Sequence, residues 1–366
     1  MDFKKAFDTV PHKRLIKKLE AHGIKGTVAV WIRNWLSDRM QRVVVNGCFS
    51  QWKEVCSVVP QGLVLGPLLF LIYINDLDLG IGSTISKFAD DTKLGRVVNS
   101  EEDCNGLQAD IHRMVEWADM WQMDFNVDKC EVIHLGRKND RRQYRLGSSI
   151  LRGVNVQRDL GIQVSDSLKV AEQVGRAVKR AFGVLSFISR GIEYKSREVM
   201  LNLYKTLVRP QLEYCVQFWA PYLRKHIKAL EREQRRFTRM IPGMGKLSYE
   251  DRLEKLGLFP LEQRRLRGDL IEVFKIMKGF DRLDREKLFP LVGVSVTRGH
   301  SFKISTKRSR GEVRRNFFTQ RVVRIWNDLP KRAVKSDSIT AFKRELDRYL
   351  EKTGLQGYGE KAGEWG

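Results

Sequence analysis

Apolar residues recur at helical spacing close to the N-terminus. Leu15, Ile16 and Leu19 share one face of the segment 11–21, with lysine and arginine between them, and the same spacing returns in the segment 27–36. A helix brings residues three or four positions apart onto one side. The pattern therefore predicts two short helices, at 11–21 and 27–36.

A hairpin is predicted after these helices. The segment 41–45 is rich in β-branched residues, and the segment 52–59 is again strand-like. Asn46-Gly47 lies between them and favours a tight turn, because both residue types tolerate a positive φ. The two segments are therefore expected to pair as antiparallel strands.

A second predicted hairpin carries acidic residues at its turn. The segments 83–88 and 92–97 both have strand-like patterns, and Ala89-Asp90-Asp91 lies between them. A turn of this kind projects its side chains from the end of a rigid sheet. Two adjacent carboxylates are thus expected at one sheet edge.

The chain becomes largely helical in its second half. Ser100, followed by three acidic residues, caps a predicted helix. The remaining predicted elements are strands at 131–135 and 160–164 and helices at 169–189, 196–208, 224–240 and 261–278. This order predicts an α+β fold class, with an α+β region first, a helical region second and a boundary near residue 165. The segment 298–315, rich in Lys, Arg, Ser and Thr, predicts an exposed loop.

The uncharged segment 55–74 is long enough to be tested as a membrane span. Pro60, Gly66 and Pro67 interrupt its first part, and only 68–74 is an unbroken apolar run. A spanning helix needs about 20 apolar residues. The segment is therefore interpreted as a buried loop and helix, with no membrane partner.

Charge divides the chain more sharply than hydrophobicity does. Lys and Arg exceed Asp and Glu by 23 over the 366 residues. Residues 1–150 contain 21 basic and 19 acidic side chains, and residues 151–366 contain 46 and 25, so nearly all of the excess lies in the second region. A basic excess of this size favours nucleic acid as the partner. The alternative is a positive surface that serves only solubility.

Cysteine usage and the N-terminus indicate an intracellular protein, nuclear or cytoplasmic. The five cysteines form neither a Cys-x-x-Cys pair nor a cluster with histidine. This favours reduced thiols packed as small hydrophobic residues over disulfides or a zinc site. The N-terminal sequence is not that of a signal peptide.

Three aspartates are the first candidates for chemistry. Asp2 begins a short segment before the first helix, and it would approach Asp90 and Asp91 if that segment joined their sheet. Hard carboxylate oxygens suit Mg²⁺, which takes a few carboxylates together with substrate phosphates. The alternative for an isolated Asp-Asp pair is a capped, solvated turn.

An ordered set of motifs resembles the palm of reverse transcriptases from non-LTR (LINE-like) retrotransposons. The closest matches are DFKKAFD at 2–8, VPQG at 59–62, LGPLLFLIYIND at 65–76 and FADDT at 88–92. The resemblance continues through WQM at 121–123, FN at 125–126, KC at 129–130, LGI at 160–162, LYK at 203–205, PQLEY at 210–214 and RIWNDLP at 324–330. It thus covers most of the chain.

The resemblance implies a fold and an activity. The fold would be a polymerase palm, an antiparallel sheet with packed helices, over 1–165, followed by a helical thumb-like region over 166–245 and a basic helical C-terminal region over 246–366. The activity would be RNA-directed DNA synthesis. RNA template, DNA primer and deoxynucleoside triphosphates would be the partners, and Mg²⁺, with Mn²⁺ as a substitute, the cofactor.

Catalytic roles follow from the resemblance for four residues. Asp2 and Asp90 match the positions that bridge two metal ions, and Asp91 would assist them. Lys129 matches a lysine that neutralises or protonates the leaving pyrophosphate. The alternative for Lys129 is a solvated surface side chain.

Substrate-binding roles follow for three more. Phe7 matches an aromatic gate whose ring would exclude a ribose 2′-hydroxyl, although an ordinary core aromatic is an alternative. Gln61 and Gly62 match a loop beside the template and the incoming base, where a missing side chain permits close approach. A simple turn before a helix is the alternative there.

Two departures from the family pattern modify this expectation. Leu63 stands where the family usually has serine and would add bulk near the nucleotide. The chain starts one residue before Asp2, so a copy truncated at the N-terminus and lacking the fingers is expected. A catalytically inactive, basic nucleic-acid-binding remnant of such an element is the alternative function.

Overall fold

A computed structural model describes residues 1–62, 64–136, 139–293, 300–355 and 357–358. The chain divides into two compact units, Met1–Gln157 and Arg158–Gly366. The division precedes the predicted boundary at 165 by eight residues. Ile162 explains the difference, because its strand is buried in the core of the second unit.

Helices and short paired strands alternate in the first unit. Its helices are Ala6–Thr9, His12–Ala21, Gly26–Leu36, Leu65–Tyr73 and Glu101–Trp121, with 3₁₀ turns at Asn75–Asp78 and Val127–Lys129. Its antiparallel pairs are Met40–Gln41 with Lys53–Glu54, Val44–Val45 with Cys48–Phe49, Thr84–Phe88 with Asp91–Gly95, and Arg145–Leu146 with Ser149–Ile150. Glu131–Ile133 pairs in parallel with Arg152–Val154.

Helices make up most of the second unit. The strand Val156–Asp159, at the division, pairs with Ile162–Ser165. The helices are Ala171–Gly191, Arg197–Leu203, Arg209–Glu213, Val216–Trp219, Arg224–Met240, Tyr249–Leu256, Leu261–Lys278, Arg285–Leu288, Glu312–Arg315, Phe318–Arg321, Val323–Asp328, Lys331–Val334 and Ile339–Thr353, with a π-helix at Tyr204–Val208. The mixture of helix and strand agrees with an α+β class.

The helix Leu261–Lys278 joins two hydrophobic clusters of the second unit. Leu261 is buried in the cluster that begins at Ile162, whereas Leu266 and Phe274 are buried in the cluster that extends to Leu355. The first cluster continues past the predicted boundary at 245/246 as far as Leu261. The transition to the second cluster lies within the helix Leu261–Lys278.

The first predicted hairpin is only partly correct. Asn46 and Gly47 form the expected turn, with φ of 49° and 81°. The predicted strand 52–59 is wrong beyond its first residues. Val58 N–H donates to Val10 O at 3.2 Å and Val59 N–H to Phe7 O at 2.7 Å, so this part of the chain bonds to the N-terminal segment instead.

The predicted exposed loop at 298–315 is wrong where the structure describes it near residue 304. Residues 294–299 lie outside the described residues. His300 and Ile304 are buried, and the side chain of Asn327 bonds both backbone groups of Ile304, at 2.8 and 2.9 Å. Trp326 Nε1 also donates to Phe302 O at 2.8 Å. The motif at 324–330 thus anchors this segment.

The cysteines agree with the packing prediction only in part. Cys104 and Cys130 are buried, but Cys48, Cys56 and Cys215 are exposed. Hydrophobic packing therefore explains two of the five thiols. Within the described ranges, no helix combines the length and the apolar character that crossing a membrane requires.

Candidate active site

The N-terminal segment pairs with two other parts of the first unit. Met1 and Thr92 exchange backbone hydrogen bonds of 2.6 and 3.0 Å, as antiparallel neighbours do. On the other side, Asn126 N–H donates to Asp2 O at 2.8 Å and Lys4 N–H to Asp124 O at 2.7 Å. Asp2 is therefore held next to the acidic hairpin, which is the pairing that convergence of the three aspartates requires.

A two-residue turn positions the other two aspartates. Phe88 pairs with Asp91, which leaves Ala89 and Asp90 as the turn. Ala89 has a φ of 51°, which is unfavourable for a residue with a Cβ atom. Asp90 is half-buried and Asp91 is exposed. The hairpin therefore presents its two carboxylates in different environments.

One cavity of about 320 Å³ collects the predicted site residues. Its lining consists of Asp2, Phe3, Lys5, Ala6, Phe7, Asp8, Gln61, Asp90, Asp91 and Lys129. Six of the seven predicted residues are therefore brought together, and Gly62, the seventh, follows Gln61 in the chain. We call this site the acidic cavity.

The three aspartates do not by themselves form a metal-binding group. Within the described residues, no three His, Cys, Asp or Glu side chains are grouped so that they could hold a metal ion. Lys129 Nζ lies 3.1 Å from Asp2 Oδ2, so it pairs with one of the carboxylate oxygens that could otherwise bind a metal ion. Two carboxylates remain compatible with Mg²⁺, which commonly binds one or two together with phosphate oxygens. The donor chemistry fits a divalent cation, but the expected set of three ligands is not assembled.

Electrostatics distinguish Asp90 from its neighbours. Burial is the main factor that raises the pKa of Asp90, and the negative charges of Asp2 and Asp91 raise it further. The positive charge of Lys129 acts in the opposite direction. The hydrogen bond and charge of Asp2 raise the pKa of the exposed Lys129. The acidic cavity thus has excess negative charge that a cation would relieve.

Phe7 combines a core contact with a position at the edge of the acidic cavity. Its ring stacks on Phe70 with the centroids 4.5 Å apart, which fixes its orientation. It is only half-buried, and it also lines the acidic cavity. A core contact therefore holds in place a ring that borders the predicted nucleotide position.

The loop at 60–62 depends on glycine for its shape. Gly62 has a φ of 84°, and a Cβ there would meet no protein atom within 4 Å. The space beside it is therefore open, as the predicted approach of template or base requires. Leu63, expected to add bulk here, lies outside the described residues.

Close packing at Gly66 supports this loop. A Cβ at Gly66 would lie 2.0 Å from Pro60 O, a backbone atom. The absence of a side chain therefore lets the helix Leu65–Tyr73 start directly against the loop that carries Gln61. Sequence reasoning did not assign this role to Gly66.

Two charged residues of the acidic cavity were not expected there. Lys5 and Asp8 line it, although neither of them has a role predicted from the sequence. Asp2, Lys5 and Asp8 are three positions apart, but Lys4 is also charged, so spacing alone does not single out the residues that line the cavity.

Most basic residues considered on the helices Ala171–Gly191 and Arg224–Met240 are exposed. Arg176 is half-buried, whereas the others are exposed, namely Lys179, Arg180, Arg232, Arg235, Arg236 and Arg239. Two of them also lie over aromatic rings, Arg235 at 4.1 Å from the ring centre of Tyr249 and Arg236 at 4.4 Å from that of Phe182. These helices therefore present cations to solvent.

The first part of the chain is similar to a known protein family. Residues 1–174 match the family described as "Reverse transcriptase (RNA-dependent DNA polymerase)". The resemblance inferred from the motifs is thereby confirmed.

The relatives come from mobile elements of insects. The chain is 25% identical to the "RNA-directed DNA polymerase from mobile element jockey" and 28% identical to the "Probable RNA-directed DNA polymerase from transposon X-element", both of Drosophila melanogaster. Each match covers 66% of this chain and 28% of the relative. A shorter match of 77 residues, at 32% identity, is to the type-1 retrotransposable element R2 polyprotein of Popillia japonica, covering 21% of this chain and 13% of that protein. The chain thus spans little more than a quarter of the length of the first two relatives.

Proposed function

We propose that this chain carries out RNA-directed DNA synthesis, adding deoxynucleotides to a DNA primer on an RNA template. The observation that carries the proposal is the acidic cavity, which joins the aspartates to Phe7, Gln61 and Lys129. The relatives whose names include this activity match 66% of the chain.

The reaction requires a site with balanced charge. The primer 3′-hydroxyl loses its proton to solvent water, its oxygen bonds to the α-phosphorus, and the bond from the α-phosphorus to the bridging oxygen of the β-phosphate breaks to release pyrophosphate. Asp2 and Asp90 would hold divalent cations, Mg²⁺ or Mn²⁺, which when bound supply positive charge beside the attacking and leaving oxygens. Asp91 is exposed and assists from the start of its strand.

Lys129 acts on the leaving group in this proposal. Its side chain is exposed, and its ammonium contacts Asp2 at 3.1 Å. Because its pKa is raised, it stays protonated near neutral pH. It can therefore exchange the Asp2 carboxylate for a phosphate oxygen and donate a proton to pyrophosphate.

Substrate selection is assigned to Phe7, Gln61 and Gly62. Phe7, held by Phe70, excludes a 2′-hydroxyl by occupying the space beside the sugar. Gln61 positions the template and base next to the open side of Gly62. The exposed arginines of the second unit bind the phosphate backbone, positioning the hybrid without reading its sequence.

Primer extension on an RNA template with Mg²⁺ tests the proposal. Asp90→Asn keeps the size of the side chain but removes its charge, and we expect extension to fall by at least about 10³-fold, a loss typical of a catalytic group. Asp119→Asn is the matched control, since Asp119 is exposed on the helix Glu101–Trp121 and lies outside the acidic cavity. It should extend as the wild type does.

Hybrid binding measured in parallel separates the outcomes. Retained binding with lost extension in Asp90→Asn supports the catalytic assignment, and equal extension in both variants contradicts it. A wild-type chain that binds hybrid but never extends it would favour the inactive remnant. The Lys129–Asp2 ion pair is the observation that favours this inactive remnant, because Lys129 competes with a metal ion for the Asp2 carboxylate.

A further inference from the structure

A second cavity, in the helical unit, has the opposite charge. It encloses about 160 Å³ and is lined mainly by Arg264, Arg265, Arg267, Glu213, Gln217 and Gly268. Three arginines and a single acidic residue are thus among the lining residues. We call it the arginine cavity.

Two of these arginines are fully paired. Arg264 makes two hydrogen bonds to Glu213, of 2.5 and 2.9 Å. Arg267 makes two to Asp347, of 2.6 and 2.9 Å. Two parallel bonds to one carboxylate are the strongest arrangement for a guanidinium. These two arginines therefore have their charge balanced within the protein.

Arg265 is buried without comparable partners. Only 3% of its surface is exposed, and both of its terminal nitrogens, Nη1 and Nη2, lack a hydrogen-bond partner. An arginine cannot lose its proton inside a protein. A buried charge without partners is strongly destabilising, so such a group is uncommon in a stable core.

Four carboxylates act electrostatically on Arg265, namely Glu231, Glu262, Glu213 and Asp269, and each of them has another partner. Glu262 forms an ion pair with Arg224 at 3.7 Å. Glu213 bonds to Arg264, as above. Glu231 accepts from the Leu261 N–H at 3.0 Å and from the hydroxyl of Tyr249. Asp269 accepts from Arg321 at 2.8 Å. Their charges act on Arg265 from a distance without satisfying its donors.

We infer that the arginine cavity binds a phosphate-type oxyanion and that Arg265 is its principal ligand. The guanidinium fork matches the oxygens of phosphate, with two parallel donors. The volume equals that of a few water molecules, which suits a small anion and excludes a drug-sized ligand. Gly268 keeps the space open, because the nearest atom to a Cβ there is Gln217 Nε2 at 3.9 Å. The inference does not depend on the polymerase activity.

Inorganic phosphate is the probe for the full-length chain. Thermal unfolding is followed in phosphate and in chloride at equal ionic strength. A site specific for phosphate lowers the unfolding equilibrium constant about 100-fold when phosphate exceeds its Kd 100-fold. We expect the wild type to show this shift, and a wild type that responds equally to both salts would overturn the inference.

Arg265→Met tests the ligand. It removes the charge but keeps an apolar stem, so the variant should be at least as stable as the wild type in chloride and should not respond to phosphate. The matched control is Arg252→Met. Arg252 is 2% exposed, but its Nη1 donates to Arg235 O at 3.1 Å and to Thr238 Oγ1 at 2.9 Å. That variant should lose stability in chloride and keep its phosphate response.

Gly268→Leu provides a second test that retains Arg265. A leucine side chain would fill the arginine cavity, so the phosphate response should disappear. If Arg265→Met fails to fold, this variant decides the question. A phosphate response that persists in Gly268→Leu would show that the anion binds elsewhere.

Hybrid binding distinguishes two sources of the phosphate group. If the anion is a phosphate of nucleic acid, Arg265→Met should weaken binding of an RNA–DNA hybrid and reduce the log-log salt slope by about one. If it is free phosphate, hybrid affinity should be unchanged while the thermal response is lost. Either result supports an oxyanion site. The inference is overturned if Arg265→Met keeps both the thermal response to phosphate and the hybrid affinity of the wild type.

Discussion

The acidic cavity and the arginine cavity have excess charge of opposite sign, and their charged groups differ in whether they can lose that charge. Asp2, Asp8, Asp90 and Asp91 line the first together with two lysines, and three arginines line the second with one glutamate. A carboxylate can respond to its neighbours by taking up a proton, and the pKa of Asp90 is raised accordingly. A guanidinium has no such response.

This difference determines what each site needs from solution. The acidic cavity already contains an exposed counter-charge in Lys129, which is paired with Asp2 at 3.1 Å. Arg265 has no comparable partner, and a buried cation that stays charged must obtain acceptors from a ligand. Excess charge is thus adjustable in the first unit and fixed in the second.

The largest effect expected on stability compares a paired buried arginine with an unpaired one. Arg321 makes hydrogen bonds of 2.8 and 3.1 Å to the fully buried Asp269. Arg321→Met leaves that carboxylate without its main partner and should reduce the free energy of unfolding by about 3–5 kcal/mol. Arg265→Met should cause no such loss. Urea unfolding of both variants measures the two changes in the free energy of unfolding. Equal decreases would show that Arg265 is also paired in the folded protein.

The acidic cavity was largely predictable because short, contiguous motifs carry it. Asp2, Phe7, Gln61, Asp90 and Lys129 each lie in a segment whose order along the chain was informative. The structure added the pairing of Met1 with Thr92, which brings those segments together. Long-range pairing of this kind has no local sequence signature, and the wrong strand at 52–59 had the same cause.

The arginine cavity was not predicted, because charge alone does not show which arginine is buried. Arg265 is one of 46 basic residues at 151–366, and from the sequence their charge was considered only as a collective excess. Its position did contain a signal. Arg265 follows Leu261 by one helical turn and precedes Asp269 by another, so it falls on the buried side of its helix. Burial identifies it, but only the structure shows that its donors are unpaired.

The next expected effect concerns the loop that carries Gln61. Gly66→Ala places a methyl group 2.0 Å from Pro60 O, so the backbone must move. We expect a loss of about 1–3 kcal/mol in the free energy of unfolding, as for other overpacked sites. Gly95→Ala is the control, because a Cβ there meets nothing within 4 Å and φ is not positive. If the thermal response to phosphate is unchanged in Gly66→Ala, the structural effect of this substitution does not reach the arginine cavity. Equal unfolding midpoints for Gly66→Ala and Gly95→Ala would contradict the predicted clash.

The smallest expected effect compares Arg265 with Lys18, a buried cation of the first unit that can lose its proton. Lys18 is 3% exposed, it contacts Asp76 at 2.5 Å, and its ammonium lies 3.8 Å from the ring centre of Trp121. Burial lowers its pKa from 10.5 to about 8, although the hydrogen bond to Asp76 opposes the shift. Between these two pH values the unfolded chain binds the proton and the folded chain does not, so stability rises with pH.

The contribution of Lys18 deprotonation to the free energy of unfolding is complete above pH 10.5 and is lost as the pH falls through 8. Lys18→Met removes it, so the unfolding free energy of the wild type, relative to this variant, should increase from pH 8 to pH 10. Parallel curves for the two proteins would mean that Lys18 keeps its charge when folded, as Arg265 must.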